Sequence, residues 1–443
     1  MKTFSILAFT ICLFTFSLKA KTPNILLICI DDLNTQLACY GQKHISSPNI
    51  DKLASQGRLF KRHYVQAPTC GISRFSLLSG LYPPAKAGNG QTKSYYNKKD
   101  AAPSLPHTFK ANGYTTVSIG KISHYPGGNA GKDWNDPEQP EIPGAWTRAM
   151  MPCGAWKTPQ AAMHGYKGGK PRIKGQNPVV ETTTQSPAYP DDLIADKALT
   201  ELNQLSKAGK PWFLAVGFIK PHLPFTAPKR FLDIYSDVKF PPIPSPEKPT
   251  GPSLWHGSGE FRQYVGSSSI TDPSKTLEIR KHYAACTSYV DDNVGKILAT
   301  LKKTAQADNT IVILWGDHGF SLGEKKIWGK HHLYHTALHS PLIIKLPEQK
   351  SPGKNSPAVA ETVDIYPTLC ELAGIPSPVH LDGKSLVQIV NDPTAKSDGI
   401  ANSFWGGNKS TITQDTHTIF KKGKPFLKFD LTKDPHEEHN LVK

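Results

Sequence analysis

The segment Asn24–Ile30 reads Asn-Ile-Leu-Leu-Ile-Cys-Ile and is apolar at every position after the first. A strand with one face in water alternates polar and apolar residues. A strand apolar throughout has to be covered on both faces, as inside a parallel sheet clad by helices. Comparable runs occur at Trp212–Phe218 and at residues 310–315, with shorter ones at 114–119 and 341–346. Segments with helical spacing lie between them, at 48–57, 104–113, 191–206, 277–302 and 362–373. In the first of these Asn49 is the expected N-cap and Gly57 the stop. Strands alternating with helices predict an α/β fold with one large, mostly parallel sheet flanked by helices.

From about residue 397 the pattern changes. Short alternating stretches at 400–404, 410–413, 417–420 and 426–429 predict a small antiparallel sheet. The expected organisation is therefore a main domain over residues 21–395 and a small C-terminal antiparallel subdomain over 396–443. Residues 125–190 and 225–273 are rich in proline and show little periodicity, and they read as long surface loops. Residues 1–20 read as a secretory signal. Lys2 supplies the positive start, residues 4–16 are largely apolar, and Ala20 offers a small residue for cleavage. That apolar stretch is short for a membrane span, so export to the periplasm or the medium is expected, without stable membrane insertion.

Of the seven cysteines, Cys12 lies in the signal. Setting Cys70 aside, Cys29, Cys39, Cys153, Cys286 and Cys370 are widely spaced and odd in number, which gives no disulfide framework and no cysteine metal motif. The formal charge of +16 suits an acidic partner. A nucleic-acid binder would add a basic stripe and a recognised reading module, and neither is found. An acidic substrate such as a sulfated polysaccharide suits the charge as well, and so does plain solubility.

In an open α/β sheet, ligands bind beyond the carboxyl ends of the strands. Four of the predicted strands run into polar clusters: Asp31-Asp32, Gly120-Lys121 with His124, Lys220-Pro221-His222, and Asp317-His318. A single Asp-Asp after a strand is ordinarily a turn or a helix cap. Four complementary endings point to one crevice. Asp31, Asp32, Asp317 and His318 make an oxygen-rich ligand set for a hard divalent cation, calcium or magnesium rather than zinc. Arg74, Lys121 and Lys330 supply positive charge for a sulfate or phosphate group. His124 and His222 are the natural proton carriers. The run Lys330-His331-His332-Leu333-Tyr334-His335, with His339, has the spacing of a second metal site but reads better as a loop or helix start beside the pocket, with some histidines contacting substrate.

Cys70-Gly71-Ile72-Ser73-Arg74, followed by Ser76-Leu77-Leu78-Ser79-Gly80, resembles the signature of the type I, formylglycine-dependent sulfatases of the alkaline phosphatase superfamily. Ile72 stands where that signature usually has proline. The resemblance extends through Cys39-Tyr40-Gly41, Ser47-Pro48-Asn49-Ile50-Asp51, Gly120-Lys121 with His124, Lys220-Pro221-His222, Asp317-His318-Gly319, and Trp328 with Lys330. His318 is similar to the iduronate 2-sulfatase branch, since many sulfatases carry asparagine there.

The resemblance implies an exported calcium-dependent hydrolase of sulfate esters on a sulfated saccharide, with magnesium as the alternative metal. It implies that a maturation enzyme oxidises Cys70 to formylglycine, the nucleophile, held by Arg74. Asp31, Asp32, Asp317 and His318 would hold the metal. Lys121 and Lys330 would grip sulfate oxygens, His222 with Lys330 would protonate the leaving alcohol, and His124 would help release sulfate. Two alternatives stand beside it: a phosphate or phosphonate ester hydrolase of the same superfamily, and an inactive relative that binds sulfated glycans.

Overall fold

The computed structural model describes residues 22–128, 132–136, 140–267, 272–397 and 399–442. The expected signal at 1–20 lies outside the described residues. Eight strands form the main sheet, in the order Asn355–Glu361, Arg58–Tyr64, Leu342–Lys345, Thr310–Gly316, Asn24–Ile30, Trp212–Phe218, Thr115–Gly120 and Arg148–Met150. Leu342–Lys345 runs antiparallel to both of its neighbours. Every other neighbouring pair is parallel.

The unbroken apolar runs are explained by what covers them. Leu26, Ile28, Ile30, Leu214, Val216, Val312 and Leu314 face one layer, which holds Ile194, Ala198 and Leu202 of helix Pro190–Leu205 and Val290, Val294 and Ile297 of helix Pro273–Lys303. Ile25, Leu27, Cys29, Phe213, Ala215, Ile311 and Ile313 face the other, with Leu77, Leu78, Phe109, Ile365 and Leu369. Odd and even positions are thus both buried, at ~1.5–3 kcal/mol for each large side chain.

The sequence pattern misses the strand Arg58–Tyr64 because it carries charge. Arg58 is fully buried, and its guanidinium donates to the carbonyls of Val390, Lys350 and Lys354. His63 is buried between Ser340 and Thr362. Tertiary partners satisfy both, so burial costs little. The expected loop at 125–190 also holds the edge strand Arg148–Met150, a short helix Pro159–His164, and Val180–Thr183, which pairs with Phe225–Pro228.

Helix Pro48–Gln56 corrects the expected cap. Pro48 is its first residue and Ser47 stands at the cap position. The amides of Asn49 and Ile50 donate instead to the Asp291 carboxylate of the long helix, at 3.1 and 2.7 Å. The C-terminal sheet has four antiparallel strands, Ala401–Trp405, Asn408–Ile412, Thr416–Lys421 and Lys424–Asp430. All six described cysteines are free. Among the described residues no helix is long and apolar enough to cross a membrane.

Candidate active site at the carboxyl edge of the sheet

Thr115–Gly120, Trp212–Phe218, Asn24–Ile30 and Thr310–Gly316 lie side by side and parallel. Their carboxyl ends therefore share one edge, spaced by about 4.8 Å from strand to strand. Lys121, His222, the pair Asp31-Asp32 and the pair Asp317-His318 follow those ends within a few residues. Helix Cys70–Ser79 brings Cys70 at its first position and Arg74 one turn later on the same face. Gly71 is required by a close approach: a Cβ there would lie 2.4 Å from the Cα of Asn89. Asn89 in turn accepts from the Gly71 amide at 3.2 Å and from the Thr69 hydroxyl at 3.1 Å, holding the loop that carries Cys70.

The predicted residues converge, and all ten are buried. Lys330 Nζ lies 3.2 Å from Cys70 Sγ and 2.7 Å from Asp32 Oδ1. His318 Nε2 lies 3.3 Å from Cys70 Sγ and 3.3 Å from Asp32 Oδ1. His318 Nδ1 donates to the Gly319 carbonyl at 3.0 Å, which leaves Nε2 as the lone-pair nitrogen facing the site. Arg74 Nε pairs with Asp317 Oδ2 at 3.0 Å and Arg74 Nη2 with Asp31 Oδ1 at 3.4 Å. Lys121 Nζ pairs with the other oxygen of Asp31, and Arg74 Nη1 donates to the Lys121 carbonyl. Asp317 Oδ1 accepts from the Asp32 amide at 2.9 Å. Asp32 itself sits at φ 56°, in the left-handed region.

Electrostatics follow from burial. Burial and the neighbouring carboxylates push the pKa of Asp32 up to about 7 and that of Asp317 well up, against the pull of Lys330 and Arg74. Burial also opposes the charge on Asp31, but Lys121 and Arg74 outweigh it and hold that carboxyl well below its ordinary range. Burial and nearby lysines hold His124, His222 and His318 well below the ordinary imidazole value, so all three are neutral. Lys330 is held protonated despite burial, chiefly by Asp32. Burial, with Asp31, pushes the Cys70 thiol well up.

The donor set suits a hard divalent cation. One ligand atom each from Asp31, Cys70, Asp317 and His318 lies within 4.8 Å of the others, and Asp31, Asp32, Cys70 and His222 form a second such group. Asp32 Oδ2 is buried with no hydrogen-bond partner. A cation offers that oxygen a partner and relieves the crowding of three carboxylates. The histidines at 331–339 have partners of their own. His332 lies against Ser321, His335 against Tyr64, and His339 against the Lys61 carbonyl. Among the described residues the converging ligand groups both include Cys70.

Glu260 is a member of the site that sequence reasoning misses. Its Oε1 lies 3.8 Å from His222 Nε2 and 3.9 Å from Lys330 Nζ, and its Oε2 lies 3.9 Å from His331 Nδ1. It arrives from the aperiodic 225–273 segment, where a lone glutamate carries no signal. Tyr283 is a second omission. Its hydroxyl donates to the Asp32 carbonyl and accepts from the Asn34 amide, both at 2.9 Å, and so fixes the turn that carries the carboxylates.

Known proteins share part of this sequence and its fold. The Sulfatase family profile matches residues 23–375, and the profile described as N-sulphoglucosamine sulphohydrolase, C-terminal, matches residues 323–443. The chain is 31% identical over 389 residues to human iduronate 2-sulfatase, covering 80% of this chain and 70% of the relative. A structure solved with its substrate D-glucosamine-2-N,6-O-disulfate superposes with a TM-score of 0.73 at 21% identity, covering 95% of this chain and 93% of the other. Phosphonate monoester hydrolase of Agrobacterium radiobacter also superposes with a TM-score of 0.73 at 21% identity, over 95% of this chain and 91% of its own. At that identity these two likenesses carry the fold alone. The family follows from the sequence matches: this chain belongs to the sulfatase family, the sulfuric ester hydrolases, and is similar to iduronate 2-sulfatase.

Proposed function

We propose that the protein is an exported, calcium-dependent sulfatase that hydrolyses a sulfate ester on a sulfated saccharide, with Cys70 converted to formylglycine by a separate oxidising maturation enzyme. The observation that carries the proposal is Cys70 Sγ at the meeting point of Lys330 and His318, beside the buried carboxylates and Arg74. An aldehyde hydrate at that position supplies an attacking hydroxyl and a second hydroxyl through which the bound sulfate is later released. Asp31, Asp32, Asp317 and His318 are the residues that would hold the metal. Bound there, calcium (or magnesium) supplies charge that neutralises a sulfate oxygen.

The chain's own groups divide the remaining work. Arg74 fixes the two carboxylates that flank Cys70. Lys121 and Lys330 bring positive charge to the sulfate oxygens. Lys330 is the charged member of the Lys330–His222 pair and carries the proton for the leaving alcohol. His222 Nδ1 donates to the Leu223 carbonyl, so its Nε2 faces the same space and can pass a proton on. His124 is neutral and suits the acceptor's part, taking a proton as sulfate departs. The catalytic work is assigned to residues 21–395, with 396–443 as a separate small subdomain.

Metal dependence is tested by chelation and by Asp317→Ala. Asp317 orients Arg74 and the Asp32 amide as well as offering a ligand oxygen. Activity should fall by roughly a thousandfold or more in the variant, as expected when a transition-state charge partner is lost. Its circular dichroism should remain that of a folded α/β protein. Sulfate release should stop on exhaustive chelation and return with calcium. Full activity after chelation contradicts the metal assignment. Faster turnover of phosphate or phosphonate esters than of sulfate esters contradicts the substrate class.

A further inference from the structure

We infer that the cavity between loop residues 83–87 and the first hairpin of the C-terminal sheet is a second sugar-binding site, for the residue adjoining the sulfated one in an anionic saccharide. The inference rests on the sulfatase reading above. The cavity measures about 570 Å³, within the range of small-molecule sites. Its lining reaches the chemistry through Trp405 and His331, and it touches the helix that begins at Cys70. Ile72 forms part of the wall, on a different face of its helix from Cys70. Trp405 forms another part and stacks on His331, with ring centroids 5.0 Å apart and planes at 19°. His331 directly follows Lys330, whose Nζ lies 3.2 Å from Cys70 Sγ.

The chemistry of the lining selects the occupant. Phe404, Trp405 and Phe420 offer aromatic surface that packs against the C–H face of a pyranose ring. Lys86 and Lys409 stand exposed among the lining residues, where they can pair with a sulfate or carboxylate on that ring. Among the described residues no carboxylate lines the cavity, so an anion entering it meets no opposing charge there. Trp405 is presented by a two-residue turn, Gly406-Gly407, with φ values of 58° and 76°. Such a turn fits the strand twist and leaves no side chain over the opening. The same geometry gives Ile72 a use: where the family signature usually has proline, this chain has a branched apolar side chain against the cavity.

The test is the double charge reversal Lys86→Glu with Lys409→Glu in the full chain. Both lysines are exposed and outside the buried cluster at Cys70. Calorimetry with a heparin tetrasaccharide should show affinity lowered roughly tenfold, and hydrolysis of 4-nitrophenyl sulfate should change by less than about twofold. Phe420→Ala should weaken tetrasaccharide binding in the same selective way. Unchanged affinity in these variants overturns the inference, as does an equal loss on both compounds. Undetectable binding of the tetrasaccharide to the unmodified protein at millimolar concentration overturns it too. So does a change in sedimentation mass on charge reversal, which would make the occupant a second copy of the chain. The two readings fail separately. If no sulfate ester is hydrolysed with the aldehyde confirmed at Cys70, but binding still depends on Lys86 and Lys409, the sulfatase reading falls and the cavity stands. Turnover that is indifferent to the cavity does the reverse.

Discussion

Position 72 is where a single residue departs from the family signature, and the fold limits what that departure can do. Ile72 is the third residue of helix Cys70–Ser79. Amides of a first turn have no partner inside the helix, and the first backbone bond here is Ser73 to the Thr69 carbonyl at 3.0 Å. Proline at 72 would therefore cost no hydrogen bond. We predict that Ile72→Pro folds with a stability change within about 1 kcal/mol, the size of a modest loss of buried apolar bulk. In the chain as it is synthesised, proline would also narrow the conformations of the segment that the maturation enzyme reads. The fraction of Cys70 carried to the aldehyde in a heterologous host should rise, as read by mass spectrometry of the Cys70 peptide. Full conversion of the unsubstituted chain would make Ile72 neutral for maturation. The residues legible in the sequence were those that end apolar strands, those in the cysteine signature, and Lys330, through its resemblance to the family. Glu260 and Tyr283 escaped because each acts from an element whose pattern says nothing about the site it reaches.

Elements show the same division. The strands Asn24–Ile30, Trp212–Phe218 and Thr310–Gly316 were legible because burial on both faces leaves an unbroken apolar run. Arg58–Tyr64 was not, since its buried Arg58 and His63 depend on carbonyls and hydroxyls distant in sequence. The cap of helix Pro48–Gln56 was misassigned for a related reason, as Asp291 lies 242 residues from Asn49. The C-terminal sheet is fastened by another such contact. Glu437 accepts from the His335 amide at 2.9 Å and pairs with His417 through its other oxygen. Burial opposes the Glu437 charge, but His417 and the contacts with His335 outweigh it and lower its pKa below the ordinary 4.5. A carboxyl depressed in the folded state contributes stability above its unfolded value, and that stability is lost as pH falls through the folded one. Glu437→Gln should therefore cost about 2 kcal/mol near neutrality, the worth of charge-assisted hydrogen bonds. The gap between the two proteins should shrink as pH falls below 4.5. A gap independent of pH in urea titrations would contradict this account of the contact.

For the whole molecule, the +16 charge is the property most open to a direct test. Attraction between a basic protein and a polyanion acts at long range and is screened within about 8 Å at physiological ionic strength. Raising salt should increase KM for a polymeric sulfated substrate more than for a small aryl sulfate, with kcat unaffected on either. Equal salt sensitivity would make the net charge incidental to substrate capture. The central claim concerns Cys70, and one measurement addresses it most directly. Preparations with different fractions of aldehyde at Cys70, quantified by peptide mass spectrometry, are assayed for sulfate release in calcium. The account predicts a rate proportional to the aldehyde fraction, with a line through the origin. Undiminished sulfate release from protein in which Cys70 remains wholly a cysteine would contradict it.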